Sequence, residues 1–214
     1  MGFLTGGLFY DMIGKTGNNV GRRVNGRNVV SMAPARGNRT PSEAQLVPQL
    51  KFKLITEFYS QVTPFLRVGF EDHAPGLSAW NAAVSYNVQH AITGVYPALS
   101  IDYTKMVFSK GKLAKASGLV IAVSADAQLD FSWSAQIPDF WAGGDTDKLA
   151  VLVYNPAKQE WVVSVGDAVR SALSYDLAVP SAWSGDVVFP YVSFISADGK
   201  VSGTTQFLTS VEVM

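Results

Sequence analysis

The stretch Val20-Gly-Arg-Arg-Val-Asn-Gly-Arg-Asn-Val-Val-Ser-Met32 sets two β-capable runs on either side of Asn25-Gly26. An Asn-Gly pair accepts positive φ at both central positions of a type I′ turn, whose twist matches that of paired strands. The spacing therefore predicts strands near 19–24 and 27–32 joined by that turn. A lone two-stranded hairpin is marginal in water, so this one must lie against its own domain or add to a neighbour's sheet. Glycines at 2, 6, 7, 14, 17, 21, 26 and 37 surround it. That density is too high for a packed helix and weakens strands as well, which marks residues 1–40 as an extended arm.

Charge follows the same division. Residues 1–42 carry Lys15, Arg22, Arg23, Arg27, Arg36 and Arg39 against Asp11 alone, a net of +5. Residues 118–214 hold four basic and eleven acidic side chains, a net of −7, and the stretch between them is +2, so the chain as a whole is neutral. A basic front and an acidic back favour head-to-tail association of identical chains. Hydrophobic residues make up 48% and charged residues 16%, which provides a core and leaves a surface with little like-charge repulsion to oppose contact. The arm residues expected to meet a partner are Lys15, Arg22, Arg23, Asn25, Gly26, Arg27, Arg36 and Arg39. The expected partner is a second copy of the chain, in a homo-oligomer or polymer. Nucleic acid is possible but not favoured: the arginines could neutralise phosphates, yet few aromatics stand near them for stacking and the remainder of the chain is neutral or acidic.

Beyond the arm, Thr40-Pro41-Ser42-Glu43 reads as a helix start, with Pro48 perturbing the first turns of an apolar-periodic run to Tyr59. Thr63-Pro64 restarts a short helix, and Ser78 caps a third that is expected to end at Gly94. From about residue 101 the pattern turns to alternation. Candidate strands are 101–109, 119–124, 128–133, 149–154, 161–165, 172–177, 187–195 and 204–213, separated by turn signals such as Asn155-Pro156 and Asp198-Gly199. The predicted fold class is α+β: a glycine-rich N-terminal β-hairpin arm (1–40), a short helical segment (41–100), and an antiparallel immunoglobulin- or fibronectin type III-like β-sandwich (101–214). The boundary between the last two is expected within 94–118.

The catalytic inventory is thin. With no cysteine, disulfides and thiolate metal sites are excluded. His73 and His90 are the two histidines and lie in no metal-binding spacing; the first reads as part of a solvated loop cluster and the second as a cation near a helix C-terminus. Gly14-Lys15-Thr16 resembles the end of a phosphate loop, but Phe9 stands where that pattern needs a glycine. Asp139, Asp145 and Asp147 flank Trp141 and Gly143-Gly144, and a cation or sugar site there would need oxygens converging on one point. A polar loop is the plainer reading. Trp133 and Trp161 fall in predicted strands and are expected in the core. Trp141 and Trp183 fall in predicted loops, where they could be exposed ligand contacts. No catalytic residue, cofactor or metal is expected, and the chain is read as non-enzymatic. The apolar N-terminus lacks a leading positive charge and is interrupted by Asp11, so neither a signal peptide nor a membrane span is expected. The final compartment is left unknown: synthesis is expected in the cytoplasm, and a virion or an extracellular assembly is a possible destination.

Several runs carry a resemblance. Gly14-Lys-Thr-Gly-Asn-Asn-Val-Gly21, the hairpin ending Val29-Val-Ser31, Asn38-Arg-Thr-Pro-Ser-Glu-Ala-Gln45, Pro64-Phe-Leu-Arg-Val-Gly-Phe70 and Trp80-Asn-Ala-Ala-Val-Ser-Tyr-Asn87 resemble a family of uncharacterised proteins from Bacteroidota. So do Val95-Tyr-Pro97, Phe131-Ser-Trp133, Leu152-Val-Tyr-Asn155, Arg170-Ser171 and Phe194-Ile-Ser-Ala-Asp-Gly199. The likeness covers nearly the whole chain and implies a domain of unknown function, with no activity, cofactor or catalytic residue attached. It departs at Trp80, where phenylalanine is expected. The front half also resembles segments of phage-type virion proteins, by analogy. The function expected from these readings is a structural protein that self-assembles through its arm into a filament, tube or virion-like particle. The rival expectations are a carbohydrate- or cell-surface-binding module using Trp141 and Trp183, and a nucleic-acid-binding particle protein.

Overall fold

The computed structural model describes residues 2–7, 10–34, 40–71, 76–125, 127–135 and 143–214. The chain divides into two compact units, Met1–Ser42 and Glu43–Met214.

The first unit is a four-stranded antiparallel sheet. Its strands are β1 (Gly2–Leu4), β2 (Gly14–Thr16), β3 (Asn19–Val24) and β4 (Arg27–Met32), in the order β1-β4-β3-β2. The central hairpin has the predicted bounds. Its turn residues Asn25 and Gly26 have φ of 49° and 76°, the two positive values that a type I′ turn needs. The hairpin is not alone: β1 pairs with β4 and β2 with β3.

The second unit begins with three helices, α1 (Glu43–Tyr59), α2 (Thr63–Gly69) and α3 (Ala79–His90). Pro48 lies inside α1, close enough to its start that one intrahelical bond is lost rather than the helix. The Ser78 hydroxyl accepts a 3.2 Å hydrogen bond from the Asn81 backbone N–H, capping α3. That helix stops at His90, four residues short of Gly94. The reason is a hairpin of β5 (Ile92–Val95) and β6 (Ala98–Ile101), in which Gly94 has φ of 89° and a β-carbon would sit 2.2 Å from the Ala98 carbonyl oxygen.

The strand expected over 101–109 does not form. Residues Tyr103–Lys105 make a 3₁₀ turn, and the chain beyond it is held by side chains instead of a ladder. The buried Asn87 amide donates to the Val107 carbonyl and accepts from its N–H, both at 2.9 Å. The Tyr59 hydroxyl donates to the same carbonyl at 2.8 Å. Further on, Ser109 Oγ is 2.8 Å from Ser193 Oγ and 2.9 Å from Thr205 Oγ1, all of them buried.

The remaining strands are β7 (Ser117–Ala125), β8 (Gln128–Ser134), β9 (Lys148–Asn155), β10 (Glu160–Val169), β11 (Ser174–Ala178), β12 (Val187–Ile195), β13 (Gln206–Phe207) and β14 (Val211–Glu212). They form two antiparallel sheets. One has the order β10-β9-β12-β13, with β14 pairing the start of β12, and the other the order β11-β8-β7. The single strand expected over 204–213 is thus broken into two short ones.

Strands β9 and β12 are buried on both faces. From β9, Ala150, Leu152 and Tyr154 join a core with Ile55, Phe58, Tyr59, Leu66 and Ala83 of the helices. The alternate residues Leu149, Val151 and Val153 join a second core with Leu129, Phe131, Trp133 and Leu177. The unit is therefore three layers: helices, a central sheet and a second sheet. The helices and the β zone share one core, so no boundary falls within 94–118, and the segments 41–100 and 101–214 belong to one unit.

The Asn87 amide offers a direct check. Asn87→Ala leaves both backbone groups of Val107 without that partner, and about 1–3 kcal/mol of stability should be lost. Denaturant unfolding should show the lower midpoint with an unchanged slope; a midpoint equal to the parent's would contradict the assigned role.

Candidate functional site

The candidate site is the N-terminal sheet, and its register sorts the side chains by face. Arg22 lies opposite Val29, Val24 opposite Arg27, and Val20 opposite Ser31. Phe3 flanks Val29 from β1, and Lys15 flanks Val20 from β2. Because alternate residues share a face, Lys15, Arg22 and Arg27 stand together with Phe3, Val20 and Val24. Arg23, Gly21 and Asn28 occupy the other face.

The two faces differ in cover. On the second, the segment 10–13 crosses the sheet: the Asn28 amide donates to the Tyr10 carbonyl, and Gly21 lies so near Met12 that a β-carbon would be 2.2 Å from its carbonyl oxygen. Arg23 donates to Asn28 Oδ1 at 3.2 Å and reaches Asp11 at 3.8 Å. The first face is open. Phe3 is 61% and Val24 44% exposed, and a cleft of about 400 Å³ is lined by Phe3, Arg22, Val24, Asn25, Arg27 and Val29. The Arg27 guanidinium sits 5.9 Å from the centre of the Phe3 ring, a distance at the outer limit of cation–π attraction. Among the described residues no ion pair holds Lys15, Arg22 or Arg27.

Of the residues singled out from the sequence, Lys15, Arg22 and Arg27 share this open face, Asn25 and Gly26 form the turn at its end, and Arg23 points to the covered side. Arg36 and Arg39 lie outside the described residues, as do Trp141, His73 and Asp139. Gly14-Lys15-Thr16 is the edge strand β2, not a phosphate loop. The sorting of cations by face was available in the alternation Val20-Arg22-Val24 and Arg27-Val29-Ser31, a signal that a search for charge alone passes over.

Trp183 overturns the expectation of an exposed ligand contact. It has no exposure and lies in the second core, where its indole N–H donates to Glu160 Oε2 at 3.1 Å. Its loop is short, but a ring this large at the end of a sheet gains more from burial than from solvent. Asp147 is likewise committed. It is 3.2 Å from the Arg170 guanidinium and accepts a 3.0 Å bond from the Gly144 N–H. Arg170 itself is buried, donates to the Ala114 carbonyl at 2.8 Å and stacks 3.8 Å from the Phe194 ring centre. Burial pushes its pKa down, against the pull of Asp147. His90 Nδ1 lies 2.7 Å from the Tyr86 carbonyl oxygen, and its ring stacks on Tyr86. Trp133 and Trp161 are core residues. A cleft of about 210 Å³ near Phe58, Tyr103, Tyr154 and Trp161 is rimmed by rings that pack on one another at 4.7–5.6 Å, which makes it an edge of the first core. Among the described residues no three His, Asp or Glu side chains are grouped to hold a metal, and no helix is long and apolar enough to cross a membrane.

A family model described as a family of unknown function (DUF6266) matches residues 11–209. No curated protein matches the chain. Among solved structures, the fn3 domain of human contactin 1 overlaps 57% of this chain and 87% of its own length, at 8% identity and a TM-score of 0.27.

Gly21 tests the geometry of the sheet. Gly21→Ala drives a β-carbon into the Met12 backbone, which cannot swing aside as a side chain tip could, and should loosen the crossing segment. Limited proteolysis is expected to cut within residues 1–42 several times faster, with the unfolding midpoint of the second unit unchanged. Equal cutting rates would contradict the close approach.

Proposed function

Starting from the chain's membership of this family of unknown function (DUF6266), we propose that it is a non-enzymatic structural protein that self-associates through its N-terminal sheet into a filament, tube or virion-like shell. The observation that carries the reading is a sheet whose described residues form no core of their own. Of its described residues only Gly21, Asn28 and Val29 are buried, whereas Phe3, Ile13 and Met32 are 61%, 73% and 74% exposed. A sheet normally buries one face against another layer, and exposed apolar side chains gathered on a small unit mark a contact surface.

Charge supports a second copy as the partner. Residues 1–42 carry +5 and the rest of the chain the balancing −5, so unlike parts of two copies attract and like parts repel. The body is read as an immunoglobulin/fibronectin type III-like sandwich: its two antiparallel sheets enclose the second core, with the helices added outside the larger sheet. In an assembly such a body is the rigid part and the arm the connector.

The three cations on the open face favour one further reading, binding of a nucleic-acid backbone. A salt-sensitive gel shift with duplex DNA or single-stranded RNA, lost in Arg22→Ala/Arg27→Ala, would support it. Binding unchanged by those substitutions would count against it.

Residues 43–214 contain both cores, so they should fold without the arm. Sedimentation velocity is expected to show the full chain growing in mass with concentration and residues 43–214 remaining monomeric. Raising salt from about 0.05 M to about 0.5 M should weaken the association, because exposed charges are screened beyond a Debye length. A full chain that stays monomeric throughout, indistinguishable from the shortened one, would refute the reading.

A further inference from the structure

We propose that the arm sheet of one copy docks, through its open face, on the outer face of the β11-β8-β7 sheet of the next. The proposal rests on the assembly reading above and assigns its acceptor surface.

The acceptor face is defined by the register. Asp176 lies directly opposite Asp130, and Asp130 opposite Ala122. Two carboxylates placed opposite each other repel. Among the described residues neither Asp130 nor Asp176 is in an ion pair; the Gln128 amide donates to Asp130 at 3.0 Å. Such a pair is a standing cost that an incoming cation would relieve.

The surroundings suit a second sheet. Ala122, Ser132, Ser174 and Ala178 are small and exposed, and Val120 is 58% exposed. Small side chains let another backbone come near, and stacked sheets approach to about 10 Å. The same strands bury Leu129, Phe131 and Leu177 in the second core on their inner side, so the outer face is held on a rigid base.

The arm's open face is the complement. Arg22 and Arg27 stand on adjacent strands of one face, with Lys15 beyond them, and Phe3 and Val24 supply apolar surface for Val120 and the alanines. The pairing is cation to carboxylate and small apolar to apolar, between parts of the same sequence. A nucleic acid would find only the arm attractive, since the acceptor face carries the sign of a phosphate backbone. A second groove, of about 380 Å³ between α2 and β10 and lined by Val62, Phe65, Val163 and Val165, is apolar and offers no charge to select the arm.

The test is a charge swap in the full chain, read by sedimentation velocity at concentrations where the parent associates. Asp130→Lys/Asp176→Lys is expected to weaken association at least tenfold, and Arg22→Asp/Arg27→Asp to do the same. All four substitutions in one chain should restore most of it. The milder Asp130→Asn/Asp176→Asn keeps the face neutral and should fold at least as well as the parent while associating several-fold more weakly. If that neutral variant associates as the parent does, the face is wrong. If the arm swap abolishes association and the carboxylate swap leaves it intact, assembly through the arm stands and this acceptor is overturned. Failure of the fourfold swap to restore association, with the protein folded by circular dichroism, also overturns direct pairing. A parent chain that is monomeric throughout removes the assembly reading and this proposal together.

Discussion

Burial of β9 and β12 on both faces holds the second unit together. Each has seven residues in a ladder with the other, and each sends side chains into two separate cores. The helices can pack where they do because Ala150, Leu152, Tyr154 and Tyr191 face them. The β11-β8-β7 sheet can close the other side because Val151, Val153, Val192 and Phe194 face it. Remove that pairing and neither outer layer has a surface to bury against. The polar groups caught between the layers all find partners: Asn87 with Val107, Arg170 with Asp147, Ser109 with Ser193 and Thr205. Such matching is what keeps buried polar atoms from costing stability.

Much of this was legible in the chain. Asn25-Gly26 announced its hairpin to the residue, because the turn depends on local φ alone. Ser78 and Thr63-Pro64 announced helix starts for the same reason. What could not be read was decided at long range. Residues 101–109 have the composition of a strand, but Asn87 and Tyr59, distant in sequence, satisfy Val107 and leave no edge for a ladder. Trp183 sits in a short turn that looks exposed until the second core closes over it. Leu149-Ala-Val-Leu-Val-Tyr154 is a continuous apolar run, the mark of a strand covered on both faces; taken as one strand of a two-sheet sandwich, it left the third layer unread, and the boundary expected within 94–118 is removed by the shared core.

The first unit obeys the opposite rule. Its strands are set by turns and short ladders, and of its described residues only Gly21, Asn28 and Val29 are buried. Register, not burial, gathers Lys15, Arg22 and Arg27 on one face with Phe3 and Val24. A sheet so exposed is costly for a chain that stays single, whereas in the proposed head-to-tail assembly it would be the joint. Low overall charge and the opposite signs of arm and body act in the same direction.

Negative-stain electron microscopy of the purified full-length protein tests this most directly. The account predicts regular filaments, tubes or shells built from a repeating subunit, absent from residues 43–214 prepared in the same way. Isolated particles of single-chain size in both preparations, at concentrations well above micromolar, would contradict it.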